Sequence, residues 1–245
     1  STELWERFSY YGMRAVLVLY LTDLTANGGL GWSQADALKL YGIYTGLVYI
    51  TPLIGGWLAD TFLGQRRAIL IGAVLMAAGQ FTLALPHAMF PDMVNTMFYA
   101  GLALLIVGNG LFKPNISTMV GDLYEEGDHR RDGAFTIFYM GINLGSLLAG
   151  VICGAAATAY GWQAAFVGAG IGMLLSLVIQ ATMAQRFLGN IGRVTAAQRA
   201  AALRTTEQKA PLTKQEVDRI KVILVLGLFT IIFWAGFEQA GGLMN

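Results

Sequence analysis

Residues 3–21 read ELWERFSYYGMRAVLVLYL, so two acids and two arginines, Glu3, Glu6, Arg7 and Arg14, stand at the head of an otherwise apolar run. At about 100° per residue and with Glu3 at zero, Arg7 falls at about 40°, Tyr10 at about 340° and Arg14 at about 20°, flanked by Glu6 at about 300° and Tyr11 at about 80°. The polar groups form one stripe along a helix. A charge near the centre of a bilayer costs about 2.5–3.5 kcal/mol on insertion scales, so a stripe of this kind faces a wet cavity or opposing charge rather than lipid. Acids at a helix N-terminus suit the dipole, and Ser1 or Thr2 can cap it. That accounts for Glu3 and bears on Glu6, but it leaves Arg7 and Arg14 unexplained. Ionisable groups inside spans mark transport pathways.

The premise of a membrane comes from composition. With 56% hydrophobic residues, 13% charged residues and a mean hydropathy of +0.56, the chain is too apolar for an ordinary soluble domain. Apolar stretches long enough to cross a core of about 30 Å run at about 3–25, 37–60, 66–86, 94–121, 133–157, 161–187 and 219–243. Twelve of the sixteen lysines and arginines follow even-numbered spans: Arg66 and Arg67, Arg130 and Arg131, then eight from Arg186 to Lys221. The loops at about 23–36, 87–93 and 158–160 carry none, so the basic loops and the start of the chain are expected on the cytoplasmic side.

The expected organisation is a six-helix bundle over 1–188, a polar cytoplasmic linker over 189–218 and a seventh helix over 219–245. The linker, with RVTAAQRAAALRTTEQKA, reads as a solvated connector. Thr213 and Glu216 have the spacing of a capping box for the helix that follows. Because residue 1 opens directly on the first span, with no apolar signal core, the natural N-terminus is expected upstream.

Other functions are disfavoured by what the chain carries. A net charge of +1 gives no field for nucleic acid. Cys153 is the single cysteine, and His87 and His129 fall far apart in loops, so no metal site is expected. GNGLFKPNIS at 108–117 lacks the Walker arrangement and follows no strand. No nucleophile, base and orienter set suggests an enzyme. Gly42 with Gly46, Gly141 with Gly145, Gly150 with Gly154 and Gly168 with Gly172 have small-xxx-small spacing, which suits close helix contact.

More polar groups sit at membrane depth. Lys113 lies deep in an apolar helix with Pro114 after it, which frees a backbone carbonyl. A buried lysine needs an acid, and Glu3 and Glu6 are both candidates. Tyr49 and Asn143 add hydrogen-bonding groups to the second and fifth helices, although each alone is more often a packing residue. Glu238, late in the seventh helix, needs a positive partner, and Arg14 lies toward the same far side.

These stretches also resemble a known family. ELWERFSYYG is similar to the ExxERFxYYG motif of the proton-dependent oligopeptide transporters, a branch of the major facilitator superfamily. GGWLADTFLGQRR at 55–67, GLFKPNIS at 110–117, FTIFYMGINLGSL at 135–147 and FWAGFEQAGG at 233–242 resemble its other signatures in the same order. Between Asp60 and Gly64 the loop is one residue longer than the general superfamily pattern, and the linker has no room for the two extra helices some bacterial members insert.

The resemblance implies an all-α polytopic membrane protein of the major facilitator fold, here the N-terminal six-helix bundle plus the first helix of a second bundle whose remainder is absent. It implies proton-coupled symport of dipeptides and tripeptides by alternating access in an inner membrane, with protons as coupling ion and no cofactor. Glu3, Glu6 and Arg7 would couple protons. Arg7 and Lys113 would receive the peptide carboxylate, Tyr10, Tyr11, Tyr49 and Asn143 would line the site, and Arg14 and Glu238 would complete it as a gate salt bridge. The implied partners are small peptides, protons, the lipid bilayer and the missing C-terminal half. Carriage of another small anion or drug, or a peptide-binding nutrient receptor, are the alternatives.

Overall fold

The computed structural model describes residues 2–86, 89, 91–125, 127–193 and 213–237. The chain divides into two units, Ser1–Val194 and Thr195–Asn245. The first holds α1 (Thr2–Thr22), α2 (Gln34–Leu58), α3 (Gln65–Leu83), α4 (Val94–Gly121), α5 (Arg130–Tyr160) and α6 (Trp162–Leu188). In the second, α7 spans Lys214–Phe237. Among the described residues there is no strand, and six of these helices are long and apolar enough to cross a membrane. The exception is α1, the helix with four charges.

The first unit has a regular packing pattern. α1 packs on α5 and α6, α4 packs on α2 and α3, and α3 packs on α6. Exchanging α1–α3 with α4–α6 maps these contacts onto one another, as expected of two three-helix repeats related by a pseudo-two-fold axis, although α5 also packs on α6 far more closely than α2 does on α3. α1 and α4, the helices that carry Glu3, Glu6, Arg7 and Lys113, occupy equivalent positions.

Close helix approach depends on glycine, though not mainly at the expected pairs. At Gly145 a side chain would run into the backbone carbonyl of Leu4, and at Gly172 into the Phe8 ring, so one member of each of two expected pairs is needed. Gly42, Gly46, Gly150 and Gly154 meet nothing within 4 Å. Their spacing sets a face of the helix but cannot say whether a neighbour lies against it. The tight contacts that spacing missed include Gly55, which lies against the carbonyl of Gly110. Pro114 lacks the N–H that would otherwise bind that carbonyl, so the contact follows from the proline.

The lengthened loop after α2 is absorbed locally. Ala59–Leu63 forms a π turn, with the Gly64 N–H donating to the Ala59 carbonyl at 2.7 Å. Gly64 then turns the chain at φ 76° and ψ 148°, a conformation open essentially to glycine alone. Arg66, expected in a basic loop, is instead buried in the first turn of α3. Its guanidinium donates to Gln185 Oε1 at 3.0 Å and to the Ala184 carbonyl at 2.9 Å, tying the start of α3 to the end of α6.

In the second unit, Thr213 and Glu216 form the reciprocal capping pair. The Thr213 N–H donates to Glu216 Oε2 at 2.7 Å and the Glu216 N–H to Thr213 Oγ1 at 3.3 Å. The helix therefore starts at Lys214, five residues before the expected 219, and Lys214 rides on it rather than on the linker. Most of that linker, His87 and Glu238 lie outside the described residues.

Candidate functional site

The start of α1 is buried among α4, α5 and α6, and its charges go in with it. Glu3, Glu6 and Arg7 are 3%, 0% and 7% exposed, a degree of burial that charges tolerate only when paired. The Arg7 guanidinium donates to both oxygens of Glu6, through Nε at 2.5 Å and Nη2 at 2.6 Å. Arg7 Nε also lies 3.3 Å from Glu3 Oε1, the i, i+4 contact of one helical turn. From α4, Lys113 Nζ donates to the same Glu3 oxygen at 2.7 Å. Of the two candidate acids, Lys113 takes Glu3.

Two acids and two bases thus form one neutral group, joined by Asn109 Nδ2, which donates to Glu6 Oε1 at 3.3 Å. The sequence reading did not single out Asn109. It precedes Lys113 by four residues, so the same helical wheel that grouped the α1 charges places both on one face of α4. The Arg7 guanidinium lies 4.9 Å from the centre of the Tyr10 ring and 5.9 Å from that of Tyr11, a face-on contact that adds attraction where water is excluded.

The stripe continues up α1. Arg14 Nε donates to the Tyr41 hydroxyl at 2.5 Å, and its guanidinium lies 5.2 Å from the centre of that ring. Tyr41, on α2, is a second partner that sequence reasoning missed, since nothing in its surroundings marks which face of α2 meets α1.

Tyr49 and Asn143 do not join the buried cluster. Tyr49 is 60% exposed on α2. Asn143 is exposed on α5, with its amide donating to the Tyr139 carbonyl of its own helix at 3.0 Å. Glu238, and with it the expected pairing with Arg14, lies outside the described residues. Cys153 is a free, buried thiol, and no group of three or more metal-binding side chains occurs among the described residues.

What the arrangement can do chemically is hold two cations ready, Arg7 buried and Lys113 partly exposed, each under the control of an acid. Arg7 and Lys113 are donors suited to a carboxylate, and each is occupied by a carboxylate of the protein itself.

Known proteins share this fold. Residues 66–192 match the model of the POT family, PTR2. The chain is 47% identical over 191 residues to the uncharacterized transporter YclF of Bacillus subtilis, covering 78% of this chain and 38% of that one. It is 44% identical over 195 residues to a di-/tripeptide transporter of Lactococcus lactis, covering 79% and 38%. Among solved structures, peptide transporter POT in complex with sulfate superposes with a TM-score of 0.75 at 40% identity, over 97% of this chain and 44% of that one. A POT family transporter in complex with 5-aminolevulinic acid gives 0.74 at 35% identity, over 97% and 45%. The chain therefore spans less than half the length of these relatives. With the helical architecture, the matched segment and these relatives in agreement, the chain belongs to the POT family of multi-pass membrane transporters, which are not enzymes.

Proposed function

We propose that the full-length parent of this chain is a proton-coupled symporter of dipeptides and tripeptides, working by alternating access in a bacterial inner membrane with its N-terminus cytoplasmic. The observation that carries this reading is the closed ion-pair group, in which Glu3 occupies Lys113 and Glu6 occupies Arg7. A peptide carboxylate competes with these acids for the same two cations. A proton on Glu3 or Glu6 removes the competitor and leaves an ammonium or guanidinium for the peptide. Proton binding and peptide binding are then linked free energies, each favouring the other.

Tyr10, Tyr11, Tyr49 and Asn143 line the peptide path in this reading. Tyr49 and Asn143 are exposed, which leaves a ligand room to meet them. Arg14, with Glu238, acts as a gate on the far side. The coupling ion is the proton, with no cofactor, and the peptide's amino end is received by the second half of the parent.

A second reading has one observation in its favour: the relative that binds 5-aminolevulinic acid holds a molecule with amine and carboxylate ends but no peptide bond. Competition between that compound and a dipeptide separates a strict peptide carrier from a broader one.

The test is uptake of a labelled dipeptide by the complete parent in liposomes, with and without an inward proton gradient. Wild type is expected to accumulate peptide only with the gradient, and Glu6→Gln to lower the driven uptake rate by about a hundredfold or more, the scale of losing one positioned proton-transfer group. Accumulation that ignores the gradient, or uphill uptake that survives Glu6→Gln, would sink the reading.

A further inference from the structure

α1 and α4 face each other through two polar rungs. On one, Glu3 meets Lys113; on the next, Glu6 meets Asn109, whose Nδ2 donates to Glu6 Oε1 at 3.3 Å. The pairs run in opposite chain order, so one turn forward on α1 matches one turn back on α4. The rungs differ in kind. Lys113 is a partly exposed cation, whereas Asn109 is neutral and 2% exposed. A neutral amide does not balance the charge of Glu6, and Arg7 already grips both oxygens of that carboxylate through shorter bonds of 2.5 and 2.6 Å. While Arg7 stays, the longer bond from Asn109 adds little. It matters when Arg7 leaves.

That departure belongs to the proposed proton coupling, on which this inference rests. Glu6 takes a proton from hydronium: an O–H bond forms on the carboxylate, one breaks on hydronium, and water departs. The Arg7 guanidinium then turns to the peptide carboxylate, and the buried carboxyl is left with an O–H that needs an acceptor. We infer that Asn109 is a positioning residue for Glu6 that serves both of its protonation states. Its Nδ2 donates to the carboxylate, and after half a turn of the amide its Oδ1 accepts the carboxyl O–H. The acid then stays against α4 while Arg7 is engaged by the peptide, in place to reclaim the guanidinium once the proton leaves.

The surroundings of Glu6 favour Asn109 for this role. Charge reaches Glu6 from Arg7 and Glu3 on its own helix and from Lys113 on α4, with Tyr44 of α2 nearby. Side-chain hydrogen bonds to it come from Arg7 and Asn109. A guanidinium only donates, whereas an amide carries both a donor and an acceptor, so of these two only Asn109 can reverse the direction of its bond. Asn115 supplies an internal control. It is also on α4 and 2% exposed, but its Nδ2 donates to the Leu111 carbonyl of its own helix at 2.7 Å. It lies about 120° round the helix from Asn109.

The complete parent in liposomes provides the test, read as the KM for a labelled dipeptide and the maximal rate of gradient-driven uptake. Asn109→Leu removes donor and acceptor at similar volume, and Asn109→Ala removes them without bulk. Either change penalises the state in which the peptide holds Arg7, so it reads as lost affinity. Both variants are expected to raise KM about tenfold, the scale of one buried hydroxyl left without a partner, with the maximal rate within about threefold of wild type. Asn115→Leu is expected to leave KM within about twofold, as a site that shares no partner with Glu6 should. An unchanged KM in both Asn109 variants overturns the role of Asn109 and leaves the symporter intact. A rise as large in Asn115→Leu, or a maximal rate that falls as far as KM rises, assigns Asn109 to packing and also overturns it. A wild type that accumulates peptide without the gradient overturns the proposed function and this role together.

Discussion

The two ends of α1 hold their acids in opposite ways. At its start, Glu3 and Glu6 are dry and meet full positive charges from Arg7 and Lys113. Just past its end, Asp23 is partly exposed and meets only neutral donors: Asn27 Nδ2 at 2.9 Å, Trp162 Nε1 at 2.8 Å and the Leu24 N–H at 2.8 Å. Ion pairs in a dry site are strongly interdependent, because removing one member strands the other. Neutral hydrogen bonds at a wet site fail softly, because water replaces the lost partner. The first arrangement can couple one binding event to another. The second serves to fasten the loop after α1 to the start of α6.

The largest expected effect comes from breaking the dry end. Lys113→Met leaves Glu3 with Arg7 alone, and a buried charge stripped of its partner costs about 3–5 kcal/mol. The Lys113 side chain is 31% exposed, which moves the expectation to the low end of that range. The apparent Tm of the detergent-purified parent should fall by several degrees. Adding Glu3→Gln should restore most of the loss, because the stranded charge goes with it. If the double variant is no more stable than Lys113→Met, the two residues act independently and the contrast between the ends of α1 is lost.

A smaller effect tests whether the cluster depends on how closely α1 approaches α5. Gly145 lies against the Leu4 carbonyl, one residue from Glu3, whereas Gly150 on the same helix meets nothing within 4 Å. Gly145→Ala should destabilise by about 1–3 kcal/mol, the usual range for overpacking. Gly150→Ala should be neutral or gain up to about 1 kcal/mol from helix propensity. Equal effects at the two positions would mean that backbone approach does not set the geometry of the charges.

The same contrast explains what the sequence could show. A charge inside an apolar run has few tolerable surroundings, so the α1 stripe and the need of Lys113 for an acid were readable from composition and the helical period alone. Asn109, four residues before Lys113, carried the same kind of signal. The rotation of α2 and α5 was not readable, because both are apolar over most of their circumference. The sequence could therefore not say whether Tyr49 and Asn143 pack against a neighbour, and the structure leaves both exposed. Glycine spacing failed for a related reason at Gly42 and Gly150: a period of four finds a face but no neighbour.

The smallest effect belongs to the wet end. Hydrogen bonds from Asn27 first, and from Trp162 next, hold the Asp23 carboxyl below its ordinary value of 3.8. A carboxyl whose folded value is depressed contributes stability above its unfolded value and loses it as pH falls through the folded one. Asp23→Asn removes the charge and turns a second donor toward Trp162 Nε1, so it should lower the apparent Tm of the parent slightly at neutral pH. The gap between wild type and variant should stay constant down to about pH 4 and close below it, as the wild-type carboxyl takes up its proton. A gap that closes near neutrality would mean that a different group titrates. A gap as large as that of Lys113→Met would mean that the loop after α1 is held as tightly as the buried charges, and that partial exposure to water does not soften its failure.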